Sequence, residues 1–363
     1  MEDIMAEKVL MKGNEAVAEA AIRAGCRFYF AYPITPQSEL IEYMSKMMPK
    51  VNGTFVQAES EIAAINMVYG ASGCGKRVMT SSSSPGISLK MEGISYLAGA
   101  NLPAVIVNVQ RGGPGLGDIQ PAQGDYFQAT KGGGHGDYRL IVLAPSTVQE
   151  FADMADLAFE LGDKYRNPVM ILSDGLLGQM MEPVEFKPYK TEEELKQLDE
   201  QHFDWCMHPN EDEPNHHHHE INSLEIDPLV LEQHVIKLGK KYDEITKNEQ
   251  RYEEYNISDD NEVVVVSFGT AARIAKSAID ELQEKGTSVG MIRPITVWPY
   301  PYDAIKQVLH DKVKKVVVCE LNLGQMVEDV KLAVNGKLPV EFLGKVGGIL
   351  FTPAEIKAKI LDN

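Results

Sequence analysis

Four short stretches carry the residue types and spacings that chemistry would need. "AYPITPQSEL" (31–40) sets Thr35 between two prolines immediately after the apolar run Phe28-Tyr29-Phe30. Proline fixes its own φ, so such a turn holds a hydroxyl at a strand end with little left to order when a ligand arrives. "VQAESEIAAINMVYGASGCGKR" (56–77) places Glu59 and Glu61 where a strand feeds a helix. Acidic residues suit a helix N-terminus, but after Glu61 no charge appears until Lys76. A helix of that composition is expected to be buried all round. A carboxyl that opens it needs a partner or keeps its proton. "MTSSSSPGISLKMEG" (79–93) is a tight loop of small side chains at a strand end, open to the close approach of a flat or bulky group. "NLPAVIVNVQRGGPGLGDIQPAQGD" (101–125) runs an apolar strand into Arg111 and a glycine-rich loop. The planar guanidinium fork suits a carboxylate, and the end of a parallel strand is where α/β sheets bind ligands. Each stretch also has a plain reading: a connecting turn punctuated by proline, a helix-end acid, a surface Ser/Gly loop, or an arginine paired with Asp118 or Asp125.

These stretches need rigid elements behind them, and the chain supplies a regular alternation. "FYFAY" (28–32), "GTFVQ" (53–57), "RVMTSS" (77–82), "AVIVNV" (104–109), "RLIVLA" (139–144) and "PVMILS" (168–173) read as strands. Helical patterns such as 14–25 and 147–165 lie between them. The strand runs are near-continuously apolar, as in a parallel sheet covered on both faces, and the alternation defines a doubly wound α/β domain over 1–183. Residues 184–260 are highly charged and read as an acidic insert followed by an exposed linker helix. A second α/β unit over 261–363 begins with "EVVVVSFGT" (262–270), whose Gly269-Thr270 looks like a turn and N-cap, then a helix over 271–285 and strands at 287–294 and 314–320.

Bulk properties narrow the field further. The chain has 363 residues, 44% hydrophobic and 24% charged, enough for two or three domains. A net charge of -18 argues against sequence-independent nucleic-acid binding, which needs Lys and Arg against phosphates. No apolar run approaches the roughly 18 residues of a membrane span, and no signal peptide is evident, so a cytoplasmic location is expected. Cys26, Cys74, Cys206 and Cys319 are scattered and predict neither an iron–sulfur cluster nor structural zinc on this chain. The "HHHH" run (216–219) reads as a solvated loop. Phosphate loops, HExxH and GxSxG are absent.

Taken in order, "YPITPQSE", "QAESEIAAINMVYGAS", "TSSSSPGISLKMEG", "PAVIVNVQRGGPGLG", "QPAQGD" and "RPITVWPYP" (293–301) resemble the alpha subunit of the 2-oxoacid:ferredoxin oxidoreductases. The details look closest to the branched-chain (2-oxoisovalerate, 3-methyl-2-oxobutanoate) type. The resemblance covers most of the chain outside the 184–225 insert. It implies a pyrimidine-binding domain for thiamine diphosphate followed by a transketolase-C-terminal-like domain. The activity implied is oxidative decarboxylation of a 2-oxoacid to an acyl-CoA, with coenzyme A as acceptor and ferredoxin reduced.

The resemblance also assigns roles. Thr35 reaches the substrate end of the cofactor, and Arg111 grips the substrate carboxylate. Tyr32, Pro33, Ile34, Ser82, Ser83, Ser84, Pro85 and Gly86 line the cofactor pocket, with Glu59 nearby. A buried glutamate bonds the pyrimidine ring nitrogen. Glu61, nine residues before Gly70, is preferred to Glu59 for that task. "SDGLLGQ" (173–179) is the nearest string to the diphosphate–magnesium motif, but its neighbours are wrong. The chain is therefore expected to be half a site. A beta subunit would bring the diphosphate side with Mg2+, and an iron–sulfur (ferredoxin-like) subunit with [4Fe-4S] clusters and a gamma subunit would complete the assembly. The alternatives are a 2-oxoglutarate or pyruvate version, marked by an extra cation such as Lys131 or Arg139, and a non-catalytic scaffold.

Overall fold

The computed structural model describes residues 8–207 and 219–362. Its larger sheet has seven strands in the order Thr296–Trp298, Ile141–Leu143, Pro168–Asp174, Ala104–Gln110, Val78–Ser82, Phe28–Ala31, Thr54–Gln57. All neighbours run parallel except the first pair. Side chains alternate between its faces, as the strand period requires. Tyr29, Met79, Val105 and Val107 face helices Gly13–Arg23, Ser38–Met47 and Val148–Tyr165. Phe30, Val78 and Ile106 face helices Glu61–Gly73 and Ser84–Gly99. The two central strands, Ala104–Gln110 and Pro168–Asp174, are buried along their whole length, which explains their unbroken apolar sequence.

The chain leaves strand Phe28–Ala31 toward one edge and returns on its other side as Val78–Ser82, so the strand order reverses between them. These two strands pair only at Phe28↔Val78 and Tyr29↔Met79 and then part. A crevice opens at their carboxyl ends, the place where doubly wound sheets take ligands. Both the Pro-Ile-Thr-Pro turn and the serine run begin there.

The smaller sheet has the order Val340–Gly344, Lys315–Glu320, Val263–Ser267, Val289–Pro294, Tyr252–Tyr255, parallel except for the last strand. Here the structure departs from the sequence reading. The supposed linker contains helices Glu192–Gln201 and Pro228–Asn248, but its end, Tyr252–Tyr255, is an edge strand of the smaller sheet. The two tyrosines lie at odd spacing in a charged run, too sparse to announce a strand. Conversely, the "RPITVWPYP" segment lends Thr296–Trp298 to the larger sheet. The turn read at Gly269-Thr270 is instead the first turn of helix Gly269–Gln283, with Phe268 as its N-cap and Gly269 at φ 55. His216 to His218 lie outside the described residues, and His219 bonds the Cys206 carbonyl through Nδ1 at 3.0 Å.

Helix Glu61–Gly73 is not buried all round as its composition suggested. It packs on the sheet and on Ser84–Gly99, while Ile62, 51% exposed, lines up with Asn66 and Gly70 on an outer face. Among the described residues, no helix is long and apolar enough to cross a membrane.

The exchanged strands lock the two sheets together around Arg293, which is 2% exposed. Its Nη2 donates to Glu150 of the larger unit at 2.5 Å and its Nε to Glu253 of the smaller sheet at 2.6 Å. Replacing Arg293 with Met leaves both carboxylates without this partner. We expect Arg293→Met to lower stability by about 2 kcal/mol in denaturant unfolding: the bonds of a buried guanidinium are lost, but both carboxylates are partly exposed and keep other partners. A change below about 1 kcal/mol would show that the pairs contribute no more than surface ones.

Candidate active site

Glu61 opens helix Glu61–Gly73, directly after Ser60, whose hydroxyl caps the helix by accepting from Ala63 N at 3.1 Å. Glu61 is 7% exposed and hydrogen-bonds no other described residue, whereas Glu59 is exposed. The Glu61 carboxyl lies against Gly86, in the first turn of helix Ser84–Gly99. A Cβ at Gly86 would run into Ser82 Oγ and come within 2.7 Å of Glu61 Oε1. The bare glycine is therefore what lets carboxyl and helix start meet. Ser82 and Ser83 carry buried hydroxyls without partners. Glu61, Ser82 and Gly86 meet at the mouth of the crevice, with Ser83 next in the chain.

The Pro-Ile-Thr-Pro turn stands on the opposite lip. Tyr32, Pro33 and Thr35 are exposed and Ile34 is half-buried. A chain of short hydrogen bonds behind it, Tyr29 Oη to Ser81 Oγ and Ser81 Oγ to Gln37 Oε1, both 2.5 Å, ties the turn to the serine strand.

Arg111 is 7% exposed and pairs with neither Asp118 nor Asp125. Its Nη1 donates to the Thr35 carbonyl at 2.9 Å and its Nη2 to the Leu116 carbonyl at 3.1 Å. It thus ties the proline turn to the glycine loop. Its Nε is buried without a partner. Five N–H donors on a guanidinium leave three for a ligand. Ser84 is fully engaged: it accepts from Arg111 N at 3.1 Å and donates to Asp125 Oδ2 at 2.6 Å. Asp125 also accepts from Asn108 Nδ2 at 2.9 Å, and burial pushes its carboxyl up against these bonds.

Beyond Arg111 lies a cleft of about 700 Å³ between the two units. Ser84, Pro85 and Gly112 wall one side, and Leu321, Leu323 and Val346 the other. Gln123 fixes its floor, exchanging bonds with the backbone of Leu321 and donating to the Phe268 carbonyl at 2.8 Å. Glu320, wholly buried, caps helix Met326–Val334 by accepting from Met326 N at 2.8 Å and Val327 N at 2.9 Å. Tyr126 is a further tie, donating to Asp329 at 2.7 Å. Lys131 is held by the same Asp329 at 2.6 Å, and Arg139 lies outside the cleft. His135 sits 3.4 Å from Ser95 Oγ, and Asp137 is exposed. Asp174 of the Ser-Asp-Gly string caps the short helix after it, accepting from Leu176 N and Leu177 N. Among the described residues, no group of three or more His, Cys, Asp or Glu could hold a metal ion.

Sequence reasoning missed Gln37, Asn108, Gln123 and Lys90. The first three are polar residues in loops or apolar strands, and only the fold shows what they bond. Lys90 sat in plain view in "SLKMEG", but a single lysine in a helix reads as a surface residue. It is wholly buried, and Nζ donates to Thr80 Oγ1 at 3.0 Å. Burial pushes its amine down to about 7 from the usual 10.5, and only the charge of Glu61 pulls it back up.

Residues 19–254 match the family described as "Pyruvate flavodoxin/ferredoxin oxidoreductase, thiamine diP-bdg", and residues 261–356 match "Pyruvate:ferredoxin oxidoreductase core domain II". The chain belongs to the 2-oxoacid:ferredoxin oxidoreductase family. It is 49% identical to the ketoisovalerate oxidoreductase subunit VorB of Methanothermobacter thermautotrophicus, over 97% of each chain. It is 38% identical to the 2-oxoglutarate synthase subunit KorA of Methanocaldococcus jannaschii, over 97% of this chain and 98% of that one. Among solved structures it resembles the 2-oxoglutarate:ferredoxin oxidoreductase from Magnetococcus marinus, which has 2-oxoglutarate, coenzyme A and succinyl-CoA bound. That match has a TM-score of 0.82 at 28% identity; it covers 98% of this chain, which spans 65% of the solved one. A split gene transketolase, as an inactive beta4 tetramer, shares the fold alone, with a TM-score of 0.57 at 13% identity over 96% and 97%.

Two consequences can be measured. Gly86→Ala should keep the fold yet displace Glu61 and Ser82, so thermal unfolding of the variant stays within a few degrees while thiamine diphosphate affinity of the assembled complex drops about 100-fold or more. Unchanged affinity would show that the crowding at Gly86 is relieved without moving Glu61. Lys90→Met should stabilise the chain in a pH-dependent way. Between about 7 and 10.5 the unfolded chain binds a proton that the folded one does not, so wild-type stability rises with pH through that window. The gain in melting temperature from Lys90→Met should therefore be largest below pH 7 and fade as pH climbs toward 10; a pH-independent gain would contradict the burial of a titrating amine.

Proposed function

We propose that the chain is the alpha subunit of a thiamine-diphosphate-dependent oxidoreductase that decarboxylates a branched-chain 2-oxoacid, 3-methyl-2-oxobutanoate, to its acyl-CoA and passes the electrons to ferredoxin. The observation that carries this reading is the Glu61 carboxyl, buried and hydrogen-bonded to no described residue, beside Gly86 and the unpaired hydroxyls of Ser82 and Ser83. Buried polar groups are normally satisfied, so this cluster fits a ligand rich in hydrogen-bonding ring atoms. Thiamine diphosphate fits it. When bound, the cofactor would supply a thiazolium whose carbon, once deprotonated, can attack a 2-oxo carbon and whose cationic ring can take up the electron pair left when carbon dioxide departs.

This chain's own residues then divide the work. Glu61 holds the proton at the ring nitrogen; Glu59, being exposed, is the weaker candidate. Ser82, Ser83 and Gly86 give the ring a close, dry wall, with Pro85 beside them, and Tyr32, Pro33 and Ile34 border the opposite lip. Thr35 offers its hydroxyl to the substrate carbonyl, its backbone held by Arg111. Arg111 keeps donors in hand for the substrate carboxylate. We divide the domains at 1–183, 184–260 and 261–363, with Tyr252–Tyr255 of the middle segment paired into the third and Thr296–Trp298 of the third paired into the first.

Branched-chain specificity rests on two observations. Arg111 is the only cation among the residues that wall the cleft, and Leu321, Leu323 and Val346 face it. Lys131, a candidate for a second carboxylate, is paired with Asp329. The greater identity to the ketoisovalerate subunit than to the 2-oxoglutarate one points the same way. The diphosphate and Mg2+ belong to a beta subunit. The [4Fe-4S] clusters belong to an iron–sulfur subunit, with a gamma subunit completing a cytoplasmic complex.

The test is an assay of the co-expressed complex with thiamine diphosphate, coenzyme A and a viologen acceptor over several 2-oxoacids. We expect kcat/KM for 3-methyl-2-oxobutanoate to exceed that for 2-oxoglutarate by about tenfold or more. Glu61→Gln should cut kcat about 100-fold or more and Glu59→Gln only about threefold. Turnover by the isolated chain, or preference for 2-oxoglutarate, would overturn the corresponding part of the proposal.

A further inference from the structure

The four cysteines are of two kinds. Cys26 and Cys319 are wholly buried in the cores of the larger and the smaller sheet, where burial pushes both thiols up to about 12. Such thiols are inert. Cys74 is exposed and Cys206 is 1% exposed, and the fold brings these two together from more than a hundred residues apart. Cys74 ends helix Glu61–Gly73 as its C-cap, and Cys206 lies in the turn that follows helix Glu192–Gln201. The two segments run past each other in opposite directions. Met207 N donates to the Gly73 carbonyl at 2.9 Å, and His202 Nδ1 lies 2.7 Å from the Gly75 carbonyl oxygen. Between these contacts Cys74 stands opposite Cys206. Residues opposed across an antiparallel bonded pair have Cα atoms about 4.5–5.5 Å apart, inside the roughly 4.4–6.8 Å that a disulfide spans. Gly75, at φ 72, lies bare against the Cys206 side chain: a Cβ there would come within 2.8 Å of Sγ. The Lys76–Asp199 ion pair, at 2.5 Å, holds the same two segments from outside. Packing accounts for Cys206 as a small buried hydrophobe. It does not account for a second thiol left in solvent beside it.

We propose that Cys74 and Cys206 form a site of reversible oxidation, at which a hydroperoxide converts the two thiols into a disulfide. The site stands apart from the crevice, since Cys74 closes the far end of the helix that Glu61 opens, about 20 Å away along its axis. Cys74, open to solvent, reacts first. Its sulfur takes the terminal peroxide oxygen, the O–O bond breaks, and a sulfenic acid forms with release of an alcohol, or of water where the oxidant is hydrogen peroxide. Cys206 then attacks that sulfur: the S–O bond breaks, the S–S bond forms, and water leaves with the Cys206 proton. Two electrons pass from the sulfurs to the peroxide oxygens. A dithiol restores both cysteines by exchange. Burial holds the Cys206 thiol above its usual range, which suits it to resolve the sulfenic acid rather than to meet the oxidant. The bond fastens the turn after helix Glu192–Gln201 to the end of helix Glu61–Gly73, where hydrogen bonds and one ion pair hold it in the reduced chain.

The experiment treats the full chain with a small excess of hydrogen peroxide, alkylates the remaining thiols, and maps cysteine linkages by mass spectrometry without reduction. We expect the Cys74 and Cys206 peptides to be joined within one chain, Cys26 and Cys319 to be alkylated only after denaturation, and dithiothreitol to return all four thiols. Because the bond closes a loop of more than a hundred residues, the oxidised chain should melt about 5 °C or more above the reduced one. Cys74→Ser and Cys206→Ser should each abolish that rise. If Cys206→Ser does not fold, Cys206→Ala serves for the same comparison, and the linkage map of the wild type needs no variant. Cys74 carried on to the sulfinic acid while Cys206 stays a free thiol would overturn the proposal, as would a linkage of Cys74 to a second chain in place of Cys206.

Discussion

The site exists because two neighbouring parallel strands part. Phe28–Ala31 and Val78–Ser82 pair at two positions and then diverge, and the chain enters and leaves the crevice from opposite directions. Backbone groups at strand ends need partners, and here they find them in turns rather than in further ladder. The proline turn and the serine run are those turns. Arg111 then spans the opening, bonded to the Thr35 carbonyl on one lip and the Leu116 carbonyl of the glycine loop. Its position is fixed in turn by Ser84 and, through Ser84, by Asp125 and Asn108. One guanidinium therefore ties the proline turn to the glycine loop.

The second α/β unit is part of this construction rather than an appendage. It donates a strand to the larger sheet, receives one at its own edge, and meets the first unit through Arg293, Gln123 and the Tyr126–Asp329 bond. The hydrophobic core runs without a break from helix Ser84–Gly99 through Tyr126 and Phe268 into the smaller sheet. Hydrogen bonds in such a seam are shielded from water and resist being left half-made. The cleft beyond Arg111 is therefore a fixed volume whose apolar wall comes from the smaller unit, Leu321, Leu323 and Val346 among it. The two units are held together by these buried polar contacts.

Inside the crevice the decisive property is low dielectric. Burial there pushes the Lys90 amine down to about 7, with only the charge of Glu61 pulling it back up. Glu61 stands at the positive end of a helix, and Lys90 lies behind Gly86 with a single hydroxyl partner. The absence of a Cβ at Gly86 is what lets the Glu61 carboxyl lie against the first turn of helix Ser84–Gly99.

The sequence by itself determined the alternation of strands and helices, the doubly wound first domain, the family, and the motifs that converge on the crevice. These are local facts: apolar period, proline and glycine punctuation, and strings whose spacing is fixed by the turns they build. The spacing of Glu61 to Gly70 favoured it over Glu59 in the sequence, and in the structure Glu61 is buried while Glu59 is exposed. Tertiary structure alone decided which strands were exchanged, since Tyr252–Tyr255 and Thr296–Trp298 find their partners more than a hundred residues away or across a domain boundary whose position no local pattern marks. It decided that Arg111 bonds two backbone carbonyls and neither nearby aspartate, and that helix Glu61–Gly73 keeps an outer face. It also decided the fate of Lys90. Burial and electrostatic environment are sums over neighbours brought together from distant parts of the chain, and a residue's own type and local spacing do not contain those neighbours.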